Sequence, residues 1–596
     1  MSNWLAIFAP PKHPVRSLRV QAETATPDRI RTQFEVLVRH LLDRFFHNEL
    51  LTSDDETKRV MLISYSVGLP TLVLSLFLYP AYHAFPPAPY PRPFWPQVGD
   101  HYFYVMYSFL IMGAATVYEW DLLFPDALDI FVLSVLPIST RRLFFARVLA
   151  LVLFLALVLI GTSILGTIFL PLVAGLPSLG RHLLAHLLAV TMSGTFAAAT
   201  VLALQGILLN TVGERVFRRI TPILQGGSIM LLLAVLLLYP TLSRSLRPLL
   251  ASNIAAVRWF PPFWFLGVYQ RVLEGPTALP IFSHLARTGF IALFLAVGTV
   301  ILTYPLAYRR RVRQVVEGAG AIETRTRAAL PFNRLLHATL LRIPAHRAIF
   351  HFITQTILRS PRQRVMLALY GGLALALTLS NMLALRIGAG HLYPTLLPYG
   401  IRCAIPIMAF WTVLALNNVL ASPIDRRGSW LFRALLGRPG PGHLTAVRLW
   451  ITLWALGISL TSALLLHAVS PASMRTPLVT AGQFIVAVGV SLLLTDLVLF
   501  PLRTIPFTHL RTSAITDFPF MIVRYLILFP FFVVLVLHRE PWIEASATHL
   551  LVSALILLLA HALLTRMHAR ALDAAALDTP LEEGDEFPQR LGLRDS

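Results

Sequence analysis

The chain is nearly free of lysine: Lys12 and Lys58 are the only two in 596 residues, and arginine supplies the remaining basic charge. Neither lysine follows a glycine-rich loop and no GxxxxGK[ST] occurs. That excludes P-loop hydrolysis of ATP by this chain alone, so no catalytic role and no cofactor of its own are expected. Cysteine is limited to Cys403, inside an apolar run. One cysteine rules out an intrachain disulfide and any CxxC metal or redox site, and Cys403 reads as a small buried apolar residue. A GxSxG nucleophile elbow is absent, and so is the glutamate of HExxH. His182 and His186, in HLLAH, share one helical face with no third ligand evident. They read either as a fragment of a metal site or as an imidazole pair at the end of a span.

Charge is scarce as a whole. Only 13% of residues are charged against 56% hydrophobic, and a soluble chain carries about twice that charged share. With a mean hydropathy of +0.69, this is the composition of a polytopic membrane protein. The net charge of +21 does not point to nucleic acid, because the arginines recur at the ends of apolar segments, as topology signals do, instead of forming one basic face. The N-terminal MSNWLAIFAPPKHP is too short in its apolar part for a signal-peptide core, so insertion is expected to rely on the first span.

Segments of the length a bilayer core demands are predicted at approximately 60–82, 101–118, 144–174, 183–211, 222–241, 287–308, 364–386, 401–421, 447–468, 480–501, 519–538 and 548–567. The fold class expected is therefore an all-α polytopic membrane protein with about twelve transmembrane helices. Arginine-rich ends, including the run at Arg309, Arg310, Arg311 and Arg313, fall on one side of this arrangement. That side is cytoplasmic by the positive-inside rule, and both termini lie there. The one dissenting loop, Thr241 to Arg287, carries Arg244, Arg247, Arg258 and Arg271, but also WFPPFWFLGVYQ, whose aromatics suit the headgroup level or a return into the bilayer. Ahead of the first span, Pro27 to Leu51 is amphipathic, with Ile30, Phe34, Leu37, Leu41 and Phe45 on one face. It is predicted to be an interfacial helix or a helix packed on a cytosolic element.

Two cytoplasmic interruptions stand out. Glu119 to Arg147 separates spans two and three, with Asp121, Asp126 and Asp129 set among apolar residues at helical spacing, then Pro137, Arg141 and Arg142. Ser422 to Arg448 separates spans eight and nine with the same order of acid, amphipathic turn, proline and arginine, including Asp425, Arg426, Arg427 and Arg433. Such segments lie along a membrane surface with their charges toward water, which makes both candidate levers for another protein. Pro125 matches Pro423, Leu136 matches Leu436, Arg147 matches Arg448, and RVMLISYSVG at Arg59 is echoed by RVMLALYGG at Arg364. This spacing implies a parallel repeat of two six-helix bundles. The expected plan is a cytoplasmic N-terminal region over roughly 1–59, a first bundle over 60–308, a connector over 309–363, a second bundle over 364–567 and an acidic tail over 568–596.

Ionisable groups inside spans default to function. Asp496 and Arg524 lie at similar depth in neighbouring antiparallel spans and are predicted to approach each other, either as a structural ion pair or as a proton or substrate site. Gln205, Asn210, Asn381, Asn417, Asn418 and Gln483 are the remaining polar groups available to join helices or touch cargo.

Taken together, Arg29 to Leu51, the segment Leu122 to Leu136 with LPISTRRLFFAR leading into span three, and the outer segment Phe260 to Tyr269 resemble the permease subunit of the type-two exporter class of ABC transporters. The resemblance implies a coupling helix between spans two and three that docks on a separate ATPase, in two copies, with ATP bound there and not here. It also implies a multi-pass protein of the cell membrane, in bacteria the cytoplasmic membrane, among membrane lipid. Two bundles fused in one chain depart from the family's usual single bundle and form a pseudo-dimer, with a larger homodimer compatible. The second outer loop, Arg539 to Ala547, is too short to re-enter. Sparse polar groups lean toward an amphipathic or lipid-like cargo. The alternatives are a major-facilitator carrier, whose six-plus-six plan matches and whose loop motif is echoed by DRRG at Asp425 to Gly428, and a membrane-embedded transferase. The carrier's stronger motif copy is missing between spans two and three, and the transferase needs acids in the first outer loop, where only Asp100 stands.

Overall fold

The computed structural model describes residues 27–46, 56–83, 92–120, 122–124, 130, 138–174, 179–212, 214–251, 258–316, 330–388, 391–421, 441–471, 475–499 and 514–578. Nearly all of these are helical. The helices are α1 (Pro27–Phe46), α2 (Glu56–Tyr82), α3 (Phe94–Tyr118), α4 (Thr140–Ala174), α5 (Leu179–Thr211), α6 (Glu214–Leu237), the short α7 (Tyr239–Arg244) and α8 (Leu246–Ala251), α9 (Pro261–Glu274) and α10 (Pro280–Val316). They continue with α11 (Leu330–Thr339), α12 (Pro344–Arg359), α13 (Pro361–Met382), α14 (Pro398–Ala421), α15 (Pro441–Val469), α16 (Pro477–Leu499), α17 (Ala514–Glu544) and α18 (Ala547–Asp578). Among the described residues, nine helices are long and apolar enough to cross a membrane: α4, α5, α6, α10, α13, α14, α15, α16 and α18. Helices also occupy the other three places where spans were expected, as α2, α3 and α17. Prolines inside α2, α4, α6, α10 and α14 do not end them, as is usual where neighbouring helices can take up the freed carbonyls.

One expectation is corrected. The seventh span, expected to reach residue 386, ends at Met382, and the chain turns into β1 (Leu383–Gly388), which pairs antiparallel with β2 (His391–Leu396). LALRIG alternates large apolar with small or polar residues, a period-two pattern that a strand satisfies and a helix does not. The fold is thus helical with one small hairpin.

The first half packs around α3, α4, α5 and α10, with α1 laid along α4. Leu37, Val38 and Leu41 of α1 are buried in a core with Ala146, Ala150 and Phe154 of α4, while Val36 faces outward. The apolar face read from the sequence is therefore the one α1 uses. In the second half α12 repeats this arrangement, burying Phe350, Ile353 and Ile357 against Trp450 and Ile451 of α15. The aromatic segment WFPPFWFLGVYQ forms α9 and is not a surface loop. Phe263, Phe265, Leu266, Val268, Tyr269 and Gln270 are all buried, against α3, α5 and α10. Paired prolines start it and Gly275, at φ 63°, ends it. Gly267 is where α9 meets α10 most closely: a Cβ there would lie 2.6 Å from Leu285 Cβ and 2.7 Å from the Ala286 nitrogen. Gly267→Ala is expected to cost about 1–3 kcal/mol, because the obstacle is largely backbone and cannot swing aside. Thermal unfolding of the purified protein, compared with Gly180→Ala, where a Cβ meets nothing, checks this.

Candidate functional site

The chain leaves α3 after Tyr118 between the buried Val117 and Trp120, where the last carbonyls of a helix have no partner of their own. Side chains from four other helices supply the donors. Gln225 Nε2 of α6 donates to the Val117 carbonyl at 3.1 Å and Gln205 Nε2 of α5 to Trp120 at 3.0 Å. Arg147 Nη2 of α4 donates to Leu122 at 2.6 Å and Phe124 at 3.1 Å, and the Tyr304 hydroxyl of α10 donates to Leu123 at 2.8 Å. Trp120, Leu123 and Phe124 are buried beside these donors. Immediately beyond this collar lies the first lever. Asp126, Asp129 and Pro137 lie outside the described residues. Arg141 and Arg142 open α4 and are exposed. Asp425, Arg426, Arg427 and Arg433 of the second lever all lie outside the described residues.

Arg448, which the sequence pairs with Arg147, has different partners. Its Nε lies 3.2 Å from Asp496 Oδ1, and His561 Nδ1 lies 2.5 Å from Asp496 Oδ2. Arg448 Nη2 also approaches His568 Nδ1 at 3.2 Å. Guanidinium nitrogens only donate, so His568 Nδ1 accepts and its proton sits on Nε2; an ionised carboxylate only accepts, so His561 Nδ1 carries a hydrogen. Asp496, 1% exposed, thus joins α15, α16 and α18. The partner expected for it, Arg524, sits on α17 with its side chain outside the described residues; the partners given to Asp496 are Arg448 and His561.

Sequence reasoning missed a second buried acidic group. Glu540 and Glu544, one turn apart beyond the 519–538 span, are both buried, and Arg402 Nη2 of α14 reaches Glu544 Oε2 at 2.8 Å. Glu544 takes the guanidinium, and Glu540 lies buried beside it. Burial, then the neighbouring Glu544, push the Glu540 carboxyl up to about 8 despite Arg402. The i, i+4 spacing was legible, but the acids lie past the apolar run, where a loop was expected. A carboxyl raised in the folded state contributes stability that is complete below its unfolded value and is lost as pH rises through its folded value. The melting temperature should therefore fall as pH rises from about 4.5 toward about 8 and level off above it, and Glu540→Gln should remove most of that dependence.

Among the described residues no group of three or more His, Cys, Asp or Glu side chains is placed to hold a metal. His186 is packed against Tyr104 and Tyr269, with its Nδ1 3.4 Å from the Tyr269 hydroxyl. Gln270 Nε2 lies 2.8 Å from His101 Nδ1. These contacts lock α9 to α3 and α5. At the same end Arg92 and Tyr82 both bind Asp100, at 2.8 and 3.0 Å. Of the polar residues noted within spans, Gln205 binds Trp120, Asn210 donates to the Thr303 carbonyl at 2.9 Å, and Asn418 donates to the Tyr370 hydroxyl at 2.8 Å. Asn210 and Asn418 join helices, and Gln205 holds the chain that leaves α3. No family model matches this sequence, no curated protein matches it, and no solved structure matches its fold.

Proposed function

We propose that the chain is the membrane-spanning permease of an ATP-driven exporter, energised by a separate ATPase that docks on the lever between α3 and α4. The observation that carries this reading is the break between those helices: an amphipathic, charged segment whose root is held by four helices and whose far end presents Arg141 and Arg142 to solvent. A loop that only joined two spans would need neither. Support comes also from α1 laid along α4, from α12 laid along α15, and from the buried outer helix α9. In this reading α2 to α6 with α10, and α13 to α18, are twelve spans in two parallel bundles, both termini are cytoplasmic, and each lever receives one ATPase subunit. With no P-loop in the chain, nucleotide energy must arrive through contact. Cargo is amphipathic or lipid-like, since charged and polar groups within the spans are sparse and Gln205, Asn210 and Asp496 are engaged within the protein.

The test is reconstitution in vesicles, with and without a candidate ABC ATPase from the same organism. ATP-dependent movement of a fluorescent lipid only when both proteins are present supports the assignment. Uptake driven by a proton gradient with this chain alone overturns it in favour of a carrier.

A further inference from the structure

We propose that Glu540 is a proton-binding site whose occupancy fixes the contact between α17 and α14. The sequence places Glu540 and Glu544 one turn apart at the end of α17, and the fold buries both, at 1% and 9% exposure. Two other helices receive them. Arg402 of α14 takes Glu544 Oε2 at 2.8 Å, and Gly482 of α16 leaves room for the Glu544 side chain: a Cβ there would lie 2.7 Å from Glu544 Cγ. Two carboxyl oxygens, Glu544 Oε1 and Glu540 Oε2, stay buried with no hydrogen-bond partner among the described residues. The two carboxyls lie within hydrogen-bond reach of each other, but ionised carboxylates only accept. One proton on Glu540 resolves this. The O–H then donates to Glu544 in a charge-assisted bond, and Arg402 balances the one remaining negative charge. The other groups facing Glu540 are Arg402 and Cys403 of α14, while α16 brings Gly482 and, next to it, the uncharged Gln483. Without the proton, two carboxylates one turn apart stand against one guanidinium in a desolvated site, and water has to reach them. At this end α14 and α17 otherwise meet through apolar side chains, Ile401 and Ile405 sharing a core with Val536 and Ile543. The closed contact therefore binds the proton more tightly than an open one, and opening grows as pH rises toward about 8 and levels off above it.

The test uses Cys403, the single cysteine of the chain, which is 2% exposed and next to Arg402. In the full-length protein in lipid nanodiscs, its reaction with a small thiol reagent is followed from about pH 5 to about pH 9, in wild type and in Glu540→Gln. Taking the ratio of the two rates at each pH removes the thiol's own ionisation. The rates should be equal at the acid end, and the wild type severalfold faster at and above about pH 8. A second negative charge beside a thiol disfavours the reactive thiolate, so the acceleration reports access. Glu540→Gln leaves the histidines of this end, His467, His538 and His549, in place, and their contribution cancels in the ratio. Glu544→Gln removes the acceptor and the competing charge, should flatten the same pH dependence, and serves where Glu540→Gln does not fold. Infrared difference spectra supply the second readout: a protonated-carboxyl band present at neutral pH in wild type and lost in Glu540→Gln. A ratio that is constant across the pH range, or the absence of that band, overturns the proposal. No ATPase enters either measurement, so this proposal and the exporter reading fail separately.

Discussion

Replacing Asp496 by leucine is expected to destabilise the second half by about 3–5 kcal/mol, the usual consequence of removing one partner from a buried ion pair. The carboxylate is 1% exposed and is the group on which Arg448 and His561 converge from two other helices. Without it, the Arg448 guanidinium keeps only the neutral imidazole of His568 among its described partners, and a desolvated cation remains. Removing both charges together, Asp496→Leu with Arg448→Leu, should restore much of the loss, because the cost lies in the orphaned charge more than in the lost attraction. Thermal unfolding of the three purified variants checks this. If Asp496→Leu melts with the wild type, the pair contributes nothing; if the double variant is no better than the single, the loss lies in packing. Exchanging Asp496 with Arg524 should give no rescue if Arg448 and His561 are the operative partners.

The second large effect concerns the levers. Replacing Asp126, Asp129, Arg141 and Arg142 together by alanine is expected to leave the protein folded in the membrane and to abolish its response to a co-reconstituted ATPase. Each exposed ion pair is worth under about 1 kcal/mol, so single changes should be nearly silent. A docking cleft that desolvates several charges at once multiplies their value. Arg141 and Arg142 are exposed at the first turn of α4 and make no contribution to the buried core, which is why their loss should spare folding. Pull-down of the ATPase with the variant, alongside its thermal unfolding, separates lost docking from lost structure. Wild-type ATPase stimulation by the quadruple variant would remove the lever from the docking surface.

The helices were legible because hydropathy and length suffice to place spans, and the amphipathic α1 and α12 were legible from periodicity. Side-chain partners were not. Asp496 stood out as a charge within an apolar run, yet Arg448, His561 and His568 meet it only through the packing of α15, α16 and α18. Depth pointed to Arg524, whose side chain lies outside the described residues. The collar was invisible for the same reason: Gln205, Gln225, Arg147 and Tyr304 share no spacing in the chain and converge only in the folded bundle. Glu540 was discounted because a loop was assumed where α17 continues to Glu544. The β1–β2 hairpin was missed because four residues of period-two pattern were absorbed into the end of an apolar window.

The two halves meet chiefly along α6 and α13, with the hairpin touching α7. Small residues permit the approach: a Cβ on Gly372 would lie 3.0 Å from the Met230 Cα, and Gly226 faces Ala368. As an interface between separate molecules, one pair of crossing helices would depend on protein concentration in the bilayer. Here the chain makes the encounter intramolecular, so it no longer depends on protein concentration. Partner choice is then made by covalent linkage, and homodimer symmetry no longer constrains either half. Each half is free to accumulate its own substitutions, so that Arg147 anchors a loop in one while Arg448 neutralises an acid in the other.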